Sequence, residues 1–297
     1  MKKLKIILLL TAVIGMVSGQ LYAQDESAGA PEVKKKQYAK NTFDSYAILS
    51  SQTVMVPNKG TLVMDIQHRF GTLKNGRKDA FGIFAPSNIR LGLEYVPIKN
   101  LMVGTGLTKE RMQWDLNAKY AILKQTKDFA MPVSVSYYVN MVMDLRDISN
   151  FKYGSDRLSY YHELMIACKV HDKFSVQVAP SISHFNSVEA FVNSNGDIQN
   201  KMKNTHLAIS VIGRVKVSQK TGIIAGYNQP LTKHYTNNPH PNITLGIETS
   251  TSSHSFQIFA GNYYGIVPQS DAVFNQNDYN MVGQFLVGFN IIRLWSF

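Results

Sequence analysis

From about Phe43 to its last residue the chain is written in short segments whose apolar residues recur at every second position, and this period of two constrains its fold more than any other feature. Leu62, Met64, Ile66 and Phe70 alternate with Val63, Asp65, Gln67 and Arg69. Ile89, Leu91, Leu93 and Tyr95 alternate with Arg90, Gly92 and Glu94, and Trp114, Leu116, Ala118, Tyr120 and Ile122 with Asp115, Asn117 and Lys119. The pattern returns over Val133–Met141, Leu158–Val170, Leu207–Val217 and Ile243–Ile247. It is less regular over Leu101–Thr108, Phe174–His184, Gly222–Gln229 and Ser255–Tyr264, and the last segment is Val282–Phe297. Side chains two apart share a face of a strand. Each segment therefore reads as a strand with one apolar and one polar face, about twelve in all, with ten and fourteen as the alternatives.

A soluble sandwich and a membrane barrel both alternate, so other features must separate them. The connections do so first. Pro97–Asn100, His171–Lys173, Ser218–Thr221 and Thr251–His254 are tight. Long polar stretches lie between them: Gly71–Ser87, Arg146–Arg157, Phe185–Asn204, Pro230–Asn242 and Gly265–Met281. Short turns at one end and long loops at the other are the rhythm of an outer-membrane barrel. Lys109–Arg111 breaks it by being short where a long loop is due. An even strand count puts both termini at the short-turn end. The last strand adds a second feature, because every second residue back from the end reads Phe297, Trp295, Arg293, Ile291, Phe289, Val287 and Phe285. This resembles the signal taken up by the outer-membrane assembly machinery. Trp295 and Phe297 are assigned to that signal, and Arg293, which departs from it, is expected to snorkel to the interface.

At the other end, Lys2, Lys3 and Lys5 precede an apolar run from Ile6 to Val17, and Ala23 is a suitable last residue before cleavage. That is a signal peptide over residues 1–23, since the run is shorter than the roughly 20 residues of a spanning helix. Gln24 to Asn41 is polar and lysine-rich and is expected to be a mobile periplasmic tail. Residues 42–297 are assigned to an all-β, transmembrane, antiparallel up-and-down barrel, integral to the outer membrane of a Gram-negative-type envelope. Of the formal charge of +11, three belong to the leader lysines, which leaves +8 for the mature chain. Export argues against nucleic acid as the partner of that excess, and outer-membrane lipid and acidic lipopolysaccharide are expected instead. A single cysteine, Cys168, excludes an internal disulfide or thiolate cluster. No cofactor or metal is expected, and a protein partner cannot be named.

Candidate chemistry reduces to the polar face. Asp65, Arg69, Arg90, Glu94, Asp115, Lys119, Glu163, Arg214 and Glu248 are expected to face the lumen, with Asp144, Lys169 and Lys216 nearer the strand ends. Six acids against six bases predicts a self-neutralising network rather than a one-sign ring that selects ions. With Tyr138, Tyr161 and Arg214 also inward, the interior is expected to be narrow or blocked. Ser183-His184-Phe185-Asn186-Ser187 faintly resembles the His-x-Ser of an outer-membrane phospholipase, but Ser187 falls on the opposite face from His184. His162 and Glu163 likewise point apart, His68 is read as an interface anchor, and His234 and His240 are too loosely spaced for a metal. Gly104-Thr105-Gly106 follows a strand and precedes no helix, which excludes a phosphate loop and leaves relief of crowding in a curved wall.

Several words in the chain resemble an uncharacterised family of outer-membrane β-barrels known only as a domain of unknown function. They are Ile66-Gln67-His68-Arg69-Phe70-Gly71, Asn88-Ile89-Arg90-Leu91-Gly92-Leu93-Glu94-Tyr95, Asn100-Leu101-Met102-Val103-Gly104, Asp156-Arg157-Leu158-Ser159-Tyr160 and Gly288-Phe289-Asn290-Ile291. The resemblance implies fold and location and brings no activity. Three roles are compatible with such a barrel: a narrow small-solute channel, a structural or partner-binding barrel acting through its long loops, and, third, a hydrolase.

Overall fold

The computed structural model describes residues 37–297, so the expected signal peptide and residues 24–36 of the expected tail lie outside it. Twelve antiparallel strands follow one another around a closed barrel. They are β1 (Thr61–Thr72), β2 (Asn88–Ile98), β3 (Leu101–Thr108), β4 (Gln113–Leu123), β5 (Ser134–Asp144), β6 (Leu158–His171), β7 (Phe174–Phe185), β8 (Thr205–Lys216), β9 (Thr221–Pro230), β10 (Asn242–Ser250), β11 (His254–Gly261) and β12 (Leu286–Ser296). Closure is made by β12 on β1, with Ser296 opposite Thr61 and Trp295 opposite Leu62. Every strand thus has two neighbours and no edge is left unpaired.

The sidedness of the wall separates the two readings of the alternation. Asp65, Asp115, Lys119 and Glu248 are almost wholly buried on the inner face. Leu91, Leu107, Ile247 and Ile258 stand on the outer face more than half exposed. A soluble sandwich would place these two sets the other way round. An apolar outer surface over a polar interior is stable only against hydrocarbon, where strands in a closed sheet leave no backbone group unsatisfied. No helix among the described residues is long and apolar enough to cross a membrane, so the crossing is made by strands.

Long connections (residues 73–87, 145–157, 186–204, 231–241 and 262–285) gather at one mouth together with the short link 109–112. At the other mouth the links are 99–100, 172–173, 217–220 and 251–253, and the longer 124–133. Both ends of the wall open at this short-turn mouth. The backbone groups of the 124–133 link hold the end of the segment expected to be a mobile tail: Ala39 N donates to Gln125 O at 2.8 Å and Lys127 N to Gln37 O at 2.9 Å. Residues 37–41 are therefore fastened to the rim.

The wall begins at Thr61. Residues 42–56, counted with the barrel in the sequence reading, lie inside it, and residues 57–60 turn at its rim into Thr61.

Candidate functional site

Those inner residues form a hairpin that enters by the short-turn mouth and returns to it. Ala47 pairs with Gln52 and Ile48 with Ser51. Leu49, at φ 59°, makes the tight bend at the tip, and Thr53 Oγ1 closes the base by donating to Ser45 O at 2.8 Å. Phe43, Ile48, Leu49 and Val54 need an apolar surface, and the wall supplies one where its inward residues break the polar rule. Met165, Ala167, Ala179, Ile212, Ile224 and Phe259 form that patch, flanked by Tyr138 and Tyr161. A second patch, Val63, Val96, Met102 and Ile292, takes Tyr46 and Ala47.

Polar wall residues hold the hairpin's backbone between those patches. Lys119 Nζ donates to Tyr46 O at 2.8 Å and Thr53 O at 3.1 Å, and to Gln52 Oε1 at 3.0 Å. Gln177 accepts from Val54 N at 3.0 Å and donates to Gln52 O at 2.8 Å. Gln257 of β11, four strands further round the wall from Gln177 of β7, does the same, accepting from Leu49 N and donating to Ala47 O. Asn290 Nδ2 and Arg69 Nη2 both donate to Leu49 O, at 2.7 and 3.3 Å. Buried backbone groups that would cost free energy if unpaired are thereby satisfied.

Asp65, Arg69, Arg90, Glu94, Asp115, Lys119, Asp144, Glu163, Arg214 and Glu248 are buried, while Lys169 and Lys216 at the short-turn ends of their strands are half-buried, and the buried charges sort into two kinds of contact. Arg90 gathers three carboxylates of the wall: Asp115 through Nε at 2.8 Å, Asp65 through Nη1 at 3.0 Å and Glu94 at 3.6 Å. Glu94 also accepts from the hairpin's Tyr46 hydroxyl. Arg214 bridges Glu248, at 2.6 Å, and Asp44 of the hairpin, with which it forms a close ion pair. Lys119 and Arg69 make no ion pair within 4.0 Å among the described residues and serve the hairpin's carbonyls instead, Arg69 with its guanidinium also 4.5 Å from the Phe259 ring centroid. Glu163 makes no ion pair among the described residues and lines the remaining void. Asp144, at the long-loop end of β5, pairs with Arg146 at 2.7 Å. The wall does not neutralise itself alone. Its charge pattern is completed by the segment it encloses.

From the long-loop mouth the β11–β12 connection folds down to meet the hairpin. Tyr263, Ile266 and Val267 are buried, as are Gln269, Ser270 and Asp271 of the short helix α1 (Pro268–Asp271). Gln269 Nε2 donates to Asn140 Oδ1 at 2.8 Å, Asn242 Nδ2 to Asp271 O at 3.0 Å, and Ser50 Oγ at the hairpin tip to Asp271 Oδ2 at 3.1 Å. Between hairpin and lid there remains a void of about 30 Å³, lined by Arg90, Tyr138, Asn140, Tyr161, Glu163 and Asp271 among others. That is room for a water or two.

Other candidates from the sequence fall apart in space. Ser183 is on the inner face, whereas His184 is bonded to Thr205 Oγ1 at 2.9 Å. His162 Nδ1 meets the Tyr137 hydroxyl at 2.8 Å, and His68 stacks on Phe289 with centroids 4.9 Å apart. The described residues contain no group of three or more His, Cys, Asp or Glu placed to hold a metal. Gly104 and Gly106 relieve crowding of a specific kind: a Cβ there would stand 2.4 Å from Glu94 Cγ and from Arg90 Nη2 respectively. Arg293 lies against Trp295, its guanidinium 5.4 Å from the ring, and contacts His254 at the short-turn end of β11.

Sequence reasoning missed the hairpin and the lid. A signal for the hairpin was present in Tyr46-Ala47-Ile48-Leu49 and Val54-Met55-Val56, apolar words ahead of the first alternating strand. Matching them were the apolar residues at inward positions, such as Val63, Met165 and Ile212.

No curated protein matches the chain. Among solved structures, the NanC porin is 8% identical, with 80% of this chain and 99% of the porin covered at a TM-score of 0.46. An outer membrane channel from Pseudomonas putida F1 is 13% identical, with 81% and 97% covered at 0.49. The KdgM porin is 11% identical, with 79% and 99% covered at 0.43. The family model for "Membrane bound beta barrel domain (DUF5777)" matches residues 43–295, a span that takes in the inner hairpin as well as the wall; the chain belongs to that family of membrane-bound β-barrels.

Proposed function

We propose that the protein is an integral outer-membrane channel for small solutes, held shut by its own N-terminal hairpin. The observation that carries this reading is the way residues 42–56 occupy the lumen. They enter and leave by one mouth and, beyond the peptide bond that runs into Thr61 at that mouth, are held by hydrogen bonds, ion pairs and apolar contacts alone. A hairpin with both ends at the same mouth withdraws without threading past the barrel. In the occupied state the 30 Å³ void passes no solute. Once the hairpin leaves, the polar inner face becomes a water-accessible lining whose wall acids and bases nearly balance, so the current is expected to select weakly between ions.

The apolar outer belt is placed in outer-membrane lipid, and the basic excess meets acidic lipopolysaccharide. The assembly machinery is proposed to take up the strand that ends in Trp295 and Phe297. The reading is one of passage and not of catalysis. In planar bilayers the wild-type protein should conduct little, and a variant lacking residues 42–58 should show a larger, weakly selective current. A deletion variant that keeps a heat-modifiable barrel yet conducts no more than the wild type would overturn the channel. The closed lumen favours a second reading, in which the barrel presents its long loops to a partner, and that result would leave it standing.

A further inference from the structure

Basic residues of the long loops, such as Lys74, Arg77 and Lys233, stand at the mouth turned away from the periplasm. Lysines also crowd the opposite, short-turn mouth. Its links and the fastened segment 37–41 carry Lys40, Lys99, Lys124, Lys127, Lys173 and Lys220, against Asp128 and Asp172.

Four lysines gather where β6, β7 and β8 end beside that segment. The wall is irregular there, since the β6–β7 register shifts between Lys169 and His171. Gln125, 1% exposed, holds the irregularity by its backbone, accepting from Lys169 N at 2.8 Å and donating to Lys169 O at 3.1 Å. Lys169 Nζ donates to Lys40 O at 2.9 Å, and Lys216 N to Lys173 O at 2.7 Å. Lys40, Lys169, Lys173 and Lys216 thereby surround a cavity of about 160 Å³. A second cavity, of about 520 Å³, shares Lys40, Lys169 and Asp172 with the first and adds Lys127, Phe129 and Val170. Phe129 and Val170 are about half exposed, and Val170 lies on the lipid-facing side of β6 with Leu164 and Ile166. The two cavities run over the rim, from the lumen mouth to the edge of the apolar belt.

Acids nearby do not match these lysines. Asp44 is taken by Arg214, and Asp172 stands 3.9 Å from Lys169 with its side chain 95% exposed. Lys40, Lys173 and Lys216 make no ion pair within 4.0 Å among the described residues. Like charges held together in this way repel, and an anion among them relieves the repulsion.

We propose that this rim site binds the phosphate headgroup of an anionic phospholipid of the periplasmic leaflet, with Lys40, Lys169, Lys173 and Lys216 around the phosphate and an acyl chain against Phe129 and Val170. A lysine ammonium is a compact point charge that suits a phosphate. Each such lysine at a membrane surface is expected to raise affinity for anionic lipid about five-fold. A free phosphate would use the charged half of the site and leave the apolar half idle, whereas a lipid uses both. The inference rests on the placement of the barrel in the outer membrane and not on passage through its lumen.

Native mass spectrometry of the refolded full-length barrel in detergent tests it, with phosphatidylglycerol, phosphatidylcholine and glycerol 3-phosphate as probes. Phosphatidylglycerol should be held at least about ten-fold more tightly than either of the others. Replacing Lys40, Lys173 and Lys216 together by Gln should weaken it about a hundred-fold, and Lys173→Gln alone, on an exposed turn, about five-fold. Phe129→Ser should weaken it about three-fold by removing apolar contact. Replacing Lys74, Lys78 and Lys233 by Gln takes the same charge from the long loops and should leave binding unchanged. Glycerol 3-phosphate held as tightly as phosphatidylglycerol would make the occupant a free phosphate compound and overturn the lipid. Equal retention of phosphatidylcholine, full binding by Lys173→Gln, or equal losses from the rim and long-loop variants would overturn the site. Conductance is not read and membrane placement is read separately by fractionation, so failure here is distinct from failure of either.

Discussion

Gly92 and Gly106 lie on the inner face beside Arg90, where a Cβ on Gly92 would stand 1.8 Å from Asp65 Oδ1 and one on Gly106 2.4 Å from Arg90 Nη2. The end of a flexible side chain ordinarily moves aside at little cost. Here the guanidinium is fixed by carboxylates from three strands, so yielding means giving up an ion pair. Gly106→Ala should therefore lower stability by about 1–3 kcal/mol, measured by urea unfolding in detergent. Gly154→Ala is the control, because a Cβ there meets nothing within 4 Å. An equal response from both would remove the crowding account. Arg214→Ala leaves the buried Glu248 and the half-buried Asp44 without their cation, and a loss of about 3–5 kcal/mol is expected. Asp44→Asn loosens the hairpin alone, since Arg214 keeps Glu248. It should raise the current with a smaller loss of stability, and the two changes together should fall short of additive. Additive behaviour would show that the wall–hairpin pair carries no coupling.

At the scale of elements, the last strand separates a structural role from a sorting one. Phe297 is 88% exposed, and its backbone N donates to Gly60 O at 3.3 Å. Its ring adds little to the folded barrel. Deleting Phe297, or changing Trp295 and Phe297 to Ser, should lower insertion in cells and expose the chain to periplasmic proteases. The same variants refolded in detergent should stay within about 1 kcal/mol of the wild type at Phe297. Unchanged surface levels would count against an assembly signal there. The hairpin is the opposite case, an element with many contacts and no strand register of its own in the wall. Its two patches and its ladder of carbonyl contacts hold it as a unit.

For the whole molecule, the closed sheet fixes the environment. An outer face bearing Leu91, Leu107, Ile247 and Ile258 has no stable place in water. The native protein should fractionate with the outer membrane and show heat-modifiable migration. Recovery as a soluble periplasmic monomer would refute the assignment to that membrane.

The strands, their approximate number and the faces of the regular ones were legible because a period of two is a local property, readable from neighbours along the chain. Asp65, Arg90, Glu94 and Asp115 could be placed on one face by that rule. Which side of the wall that face meets was open from alternation alone, and closure of β12 on β1 decided it. The partners of those charges were not legible. Arg90 finds carboxylates on β1, β2 and β4 because registers bring Asp65 and Asp115 level with Gly92 and Gly106, whose missing side chains leave room for a guanidinium from two residues along the strand, while Arg214 and Lys119 find a hairpin 170 and 73 positions away. Residues 42–56 have no alternation to mark them, since a hairpin packed on all sides by a barrel is buried on both faces. Sequence alone determined a wall with a polar side. Only the tertiary structure decided that the space within it is filled, because filling depends on contacts between residues far apart in the chain.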